Sequence, residues 1–194
     1  MTATETRPEG PAPKGVGREL AIGIALIVLG HGCDLWSTYL ACPDLSRESS
    51  PLYLKLASLG LSGWPTVLWT KAIGALVSSA LFGLYLRNRR RLYPDVSGQS
   101  FHDFLHATHS RGAIRRRDGS WVAPSPALVG LWLAYVAAMG SAAYALFLSI
   151  HNIVGTPWME RMAQTVAPGA IFIAIAIVFW RGLYRDYCST RAGQ

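Results

Sequence analysis

Charge is the scarcest property of this sequence. Only 15% of its 194 residues are Asp, Glu, Lys or Arg, where an ordinary soluble domain carries about 25%. Apolar residues make up 51% and are gathered into long runs, so the chain does not read as a soluble domain. Cysteine is also scarce. Cys33, Cys42 and Cys188 have no metal-site spacing, and an odd number argues against a closed disulfide framework, so free thiols are expected. No secretory cleavage pattern is visible. Residues 1–18 are polar and rich in Pro and Gly, and the first apolar run is too long for a signal-peptide core. That run is expected to stay as a membrane helix. The sequence has no internal repeat, and no Ser/His/Asp arrangement or nucleophile motif is evident.

What the chain does have is four runs of about 20 mostly apolar residues, the length that crosses a bilayer core at ~1.5 Å per residue. They lie at about 20–41, 64–86, 127–150 and 168–183. Lipid offers no partner to backbone N–H and C=O groups, so the spans must be helices. The fourth is short before Arg181, and Arg181 and Arg185 are expected to snorkel to the interface. The fold expected is all-α: a four-helix transmembrane bundle over 19–187, with a disordered tail at 1–18 and a second tail at 188–194. A short outer helix should lie on the membrane surface. It starts at Ser50-Pro51, an N-cap followed by Pro at the first helical position. Leu52, Leu56 and Leu59 share its apolar face, and it ends near Gly60 or Gly63.

Orientation follows from the basic residues. Of the 18 Lys and Arg, fourteen fall on one side if both tails and the loop 87–125 are placed together. Arg47, Lys55 and Arg161 fall on the other, and Lys71 lies within a span. This positive-inside pattern puts both termini in the cytoplasm, and an even number of spans agrees. The location expected is a plasma (inner) membrane. The formal net charge of +7 therefore points to topology and lipid rather than to nucleic acid. Arg87, Arg89, Arg90 and Arg91 leave the second span directly and are expected on anionic headgroups, at ~1 kcal/mol each.

Ionisable groups within spans are expensive, and they mark sites or paired contacts. There are three here: His31 and Asp34 in the first span and Lys71 in the second. His31, Asp34 and Thr38 share a helix face, as do Lys71, Gly74, Ala75 and Ser78. Asp34 and Lys71 each lie ~10 Å below the outer boundary, so adjacent antiparallel helices would set carboxylate beside ammonium. Tyr144 lies near that depth, with His151 and Asn152 at the outer rim. An Asp–Lys pair can lock two helices in register without any ligand; it can equally mark a ligand, ion or proton site. His31 stands between Gly30 and Gly32, which would admit a planar haem or pigment with one axial ligand. His151 is ~15 Å away along the normal, too far for a second one. In the cytoplasmic loop, His102, His106 and His109 fall on one helical face with Asp103 nearby and could hold a divalent metal. An amphipathic helix laying Phe101, Phe104 and Leu105 on the membrane explains the same segment.

The order Asp34, Thr38, Glu48, Pro51, Lys71 resembles a family of small four-helix prokaryotic membrane proteins of unknown function. In that family an Asp and a Thr in the first helix precede a Glu, an Asn-Pro pair and a Lys in the second helix. Ser50 stands here at the Asn position. The resemblance covers about residues 30–85. It implies that Asp34, Glu48 and Lys71 belong to one site, and it implies no reaction.

The leading functional expectation is an accessory or assembly subunit of a larger membrane complex, held by the Asp34–Lys71 cluster. Ala134, Ala138 and Ala142 form a small-residue stripe suited to contact with other subunits. The alternatives are a ligand-, ion- or proton-handling protein using Asp34 and Lys71, an intramembrane enzyme, and a pigment- or haem-binding subunit. No cofactor is named by the sequence itself.

Overall fold

The computed structural model describes residues 16–46, 48, 50–93, 100–110, 126–155 and 166–192. Among these the chain is entirely helical. Its elements are α1 (Val16–Ala41), α2 (Pro51–Ala57), α3 (Trp64–Asn88), a 3-10 turn at Arg89–Leu92, α4 (Phe101–Ser110), α5 (Pro126–Val154) and α6 (Ala167–Ala192). Four of these helices, α1, α3, α5 and α6, are long and apolar enough to cross a membrane. At 25 residues α3 is ~38 Å long, more than the ~30 Å hydrocarbon core requires.

The burial pattern is that of a membrane protein. No more than 33% of any apolar stretch is buried within the chain. Leu29, Leu40, Leu76, Ile73 and Ile173 all point outward, which in water would leave a large apolar surface uncovered. The inward stripes are narrow. On α1 the stripe is Gly23, Ile27, Gly30, Asp34, Ser37 and Thr38, at helical spacing.

α5 is the central element and packs on α1, α3 and α6, while α1 and α3 also pack on each other. Its inward face is built of small residues: Ala134, Ala138 and Ala142 are all buried. The stripe expected to meet another subunit is therefore taken up inside the chain. Gly30 shows how close α1 and α5 come, because a Cβ added there would lie 2.6 Å from the carbonyl oxygen of Ala142. Toward the other end α3, α5 and α6 meet through rings. Tyr85, Tyr135 and Phe179 stand within 4.8–5.5 Å of one another, centroid to centroid.

The helix ends follow their sequence signals. The Ser50 hydroxyl accepts from the Tyr53 N–H at 3.2 Å, with Pro51 at the first position. After α2, the Leu61 N–H donates to the Leu56 carbonyl and the Gly60 N–H to the Ala57 carbonyl, each at 3.0 Å. Gly60 at φ 84° supplies the left-handed residue this cap needs.

Two boundaries differ from the sequence reading. α1 starts at Val16, inside the stretch read as a tail; residues 1–15 lie outside the described residues. α6 continues to Ala192, through residues read as a second tail. Leu183 and Tyr187 explain the extension. They are one turn apart, almost fully buried, and Tyr187 packs on Phe104 and Tyr93. α4 therefore lays Phe101 and Phe104 on Tyr184 and Tyr187 of α6.

Candidate functional site

The polar residues of α1 converge where α1 ends and α3 begins. The Lys71 ammonium pairs directly with Asp34 Oδ2. The Asp34 side chain is 4% exposed and that of Lys71 is 24% exposed, so the carboxylate depends on the pair far more than the ammonium does. The equal depths inferred from the sequence thus meet as one contact. Around it, the Ser37 and Thr38 hydroxyls donate to the Asp34 carbonyl at 3.0 and 2.8 Å. Asn152 of α5 then donates to Ser37 Oγ at 3.1 Å and to Thr38 Oγ1 at 3.3 Å. Three helices are joined at one level.

His31 lies one turn further in. Its imidazole rests beside Gly74 of α3, where an added Cβ would stand 3.4 Å from Cε1. Both ring nitrogens are sealed from solvent and neither has a hydrogen-bond partner among the described residues. A buried polar atom left unpaired carries a desolvation cost of ~1–3 kcal/mol. His151 at the rim also has a buried, unpartnered Nδ1. Tyr144 is within electrostatic reach of Asp34, and its ring stacks on Phe147 at 6.4 Å. One turn deeper than Gly74, the Ser78 and Ser141 hydroxyls bond each other at 2.8 Å.

Other sequence candidates sit elsewhere. Glu48 accepts from the Ser50 N–H at 2.9 Å and makes no ion pair with Lys71, so the structure does not bring it to Asp34. It organises the start of α2 instead. The room expected beside Gly30 for a planar macrocycle is occupied by the Ala142 backbone. His102 is 90% exposed beside Asp103, 3.7 Å from its carboxylate. The side chains of His106 and His109 lie outside the described residues, and no metal-binding group of three His, Cys, Asp or Glu occurs among the described ones.

The sequence reading missed a second polar cluster, at the opposite end of the helices. Arg89 was expected on lipid headgroups but is buried. Its guanidinium lies 2.6 Å from Glu19 of α1 and 2.9 Å from Asp186 of α6, and the Tyr93 hydroxyl donates to the same Asp186 carboxylate. Burial works against the charge on Arg89; Asp186 and then Glu19 outweigh it and hold its pKa above the ordinary value. Burial, followed by the bond to Asp186, pushes the Tyr93 phenol up from 10. The signal was present in the sequence. Glu19 opens the first span, Asp186 closes the fourth, and Arg89 leaves the second at the same level. Ser37, the most buried polar residue of α1, was also missed, although it lies one turn from Asp34.

Compared with known proteins, the chain matches no family model, no curated protein and no solved structure.

Proposed function

We propose that this is a multi-pass plasma-membrane protein whose four-helix bundle handles protons at a polar site formed by His31, Asp34 and Lys71. In this reading both termini and the arginine loop are cytoplasmic, α2 lies on the outer surface, and the site is in the outer half of the bundle. The observation that carries it is His31, with two sealed and unpartnered ring nitrogens one turn from a buried ion pair. A histidine that can take or give a proton, beside a paired carboxylate and amine, is the minimum such a site needs. Tyr144 and His151 continue the polar line toward the rim. The small-residue stripe no longer supports contact with another subunit, because it is used within the chain.

The test is infrared difference spectroscopy on the reconstituted protein as pH is stepped from 4 to 9. We expect a carboxyl band that is lost in Asp34→Asn and shifted in His31→Gln. A spectrum in which neither residue changes protonation across that range would sink the proposal.

One observation favours a second reading, an accessory subunit in which the cluster is only a clamp. The contacts from Asp34 through Thr38 to Asn152 are closed on one another. Wild-type function surviving in the Asp34→Asn/Lys71→Met double variant would favour it.

A further inference from the structure

The opposite end of the molecule carries a cavity of about 250 Å³ between α1 and α6. α1 leans on α3 and α5, and α6 leans on α5, rather than closely on each other, which leaves a lateral cleft between them. Its size is near the lower end of small-ligand pockets, roughly 300–1,000 Å³, and so suits a headgroup rather than a whole lipid.

The lining is amphipathic. Leu26 of α1 and Val178 of α6 form the lips, and both helices turn large apolar side chains outward next to them. The floor includes Tyr85 and Tyr135, whose hydroxyls have no hydrogen bond among the described residues. The charged end holds Glu19, Asp186, Arg89 and Arg185, two acids and two bases, so the lining is neutral overall. Arg89 lies between the two acids, within ion-pair distance of both. Arg185 is exposed and forms no ion pair among the described residues. The Glu19 side chain pairs with Arg89 through Oε2 and is 45% exposed.

We propose that this cleft holds one zwitterionic phospholipid, of the phosphatidylethanolamine type, from the leaflet at this end. Its phosphodiester lies against Arg185 and the tyrosine hydroxyls. Its ammonium faces Glu19, and one acyl chain runs out between Leu26 and Val178. A neutral lining with an exposed Arg185 and a half-exposed Glu19 carboxylate fits a headgroup that carries both charges. An anionic headgroup would satisfy Arg185 but set its charge against Glu19 and Asp186. The inference rests on the membrane reading and is independent of the proton site.

The test uses the full chain, purified in detergent, stripped of lipid, and offered equimolar dioleoyl phosphatidylethanolamine and dioleoyl phosphatidylglycerol. Native mass spectrometry should show a single retained lipid, with the ethanolamine lipid favoured at least fivefold. Glu19→Gln should lose most of that preference. Gly182→Leu fills the cleft from α6, where an added Cβ meets nothing within 4 Å, and should abolish retention while circular dichroism stays unchanged. Equal retention of the two lipids, no retention, or undiminished retention in folded Gly182→Leu would each overturn the proposal. Recovery of the chain in the membrane fraction tests the underlying membrane reading separately.

Discussion

Removing one partner of the Asp34–Lys71 pair should have sharply unequal effects, and the exposures set the inequality. In Lys71→Met the stranded group is a carboxylate with a side chain 4% exposed, bounded by α1, α3 and α5. Breaking a buried pair this way costs ~3–5 kcal/mol. In Asp34→Asn the stranded group is an ammonium already 24% exposed, on a four-carbon stem that can reach toward the near boundary. Its loss should be nearer ~1.5–3 kcal/mol, about that of a charged hydrogen bond. The double variant has no stranded charge and should be more stable than Lys71→Met alone, with a coupling of ~2 kcal/mol in the double-mutant cycle. Unfolding in mixed micelles by rising denaturing-detergent fraction, followed by far-UV circular dichroism, reads all four proteins. The reasoning fails if Lys71→Met costs less than Asp34→Asn, or if the double variant is no better than the worse single one.

Gly30 and Gly32 offer a matched contrast. Gly30→Ala would push a methyl against the rigid Ala142 backbone and should cost ~1–3 kcal/mol. Gly32→Ala meets nothing within 4 Å and should be neutral or stabilising by up to ~1 kcal/mol; paired melting temperatures check both. Asn152→Ala removes two hydrogen bonds between α5 and α1 and should lower stability by ~1–3 kcal/mol, seen in the same micelle assay. The Tyr93 phenol has its pKa raised by folding, so its contribution is fully present below pH 10 and is lost as pH rises beyond it. Melting temperatures between pH 9 and 11.5 should fall more steeply for the wild type than for Tyr93→Phe; parallel curves would refute this.

The four spans were legible because lipid imposes one rule on the whole segment: length and apolarity alone identify it. The Asp34–Lys71 contact was legible for a related reason. In antiparallel neighbours, equal distance from a shared boundary becomes spatial proximity, and arithmetic along the chain suffices. The Arg89 cluster obeyed the same geometry but was hidden by a stronger habit, that arginines at a membrane exit face headgroups. Only the positions of Glu19 and Asp186 on helices far apart in sequence reveal otherwise. The fate of Ala134, Ala138 and Ala142 was beyond reach, because a small-residue stripe fits a neighbour in the same chain as well as one in another. Glu48 was misplaced because its short-range bond to Ser50 depends on the turn, which periodicity does not describe.

The ion pair also bears on how such a chain is made. Asp34 and Lys71 are separated by 37 residues, whereas Asn152 follows Thr38 by 114. A helical hairpin of α1 and α3 therefore leaves the ribosome with both of its charges in hand, well before α5 exists. Each charge alone would resist transfer into lipid by ~2.5–3.5 kcal/mol, and the two can enter as a neutral unit. The later arrival of Asn152 then latches a hairpin that is already in the bilayer, so the order of synthesis is also the order in which the costly groups are accommodated.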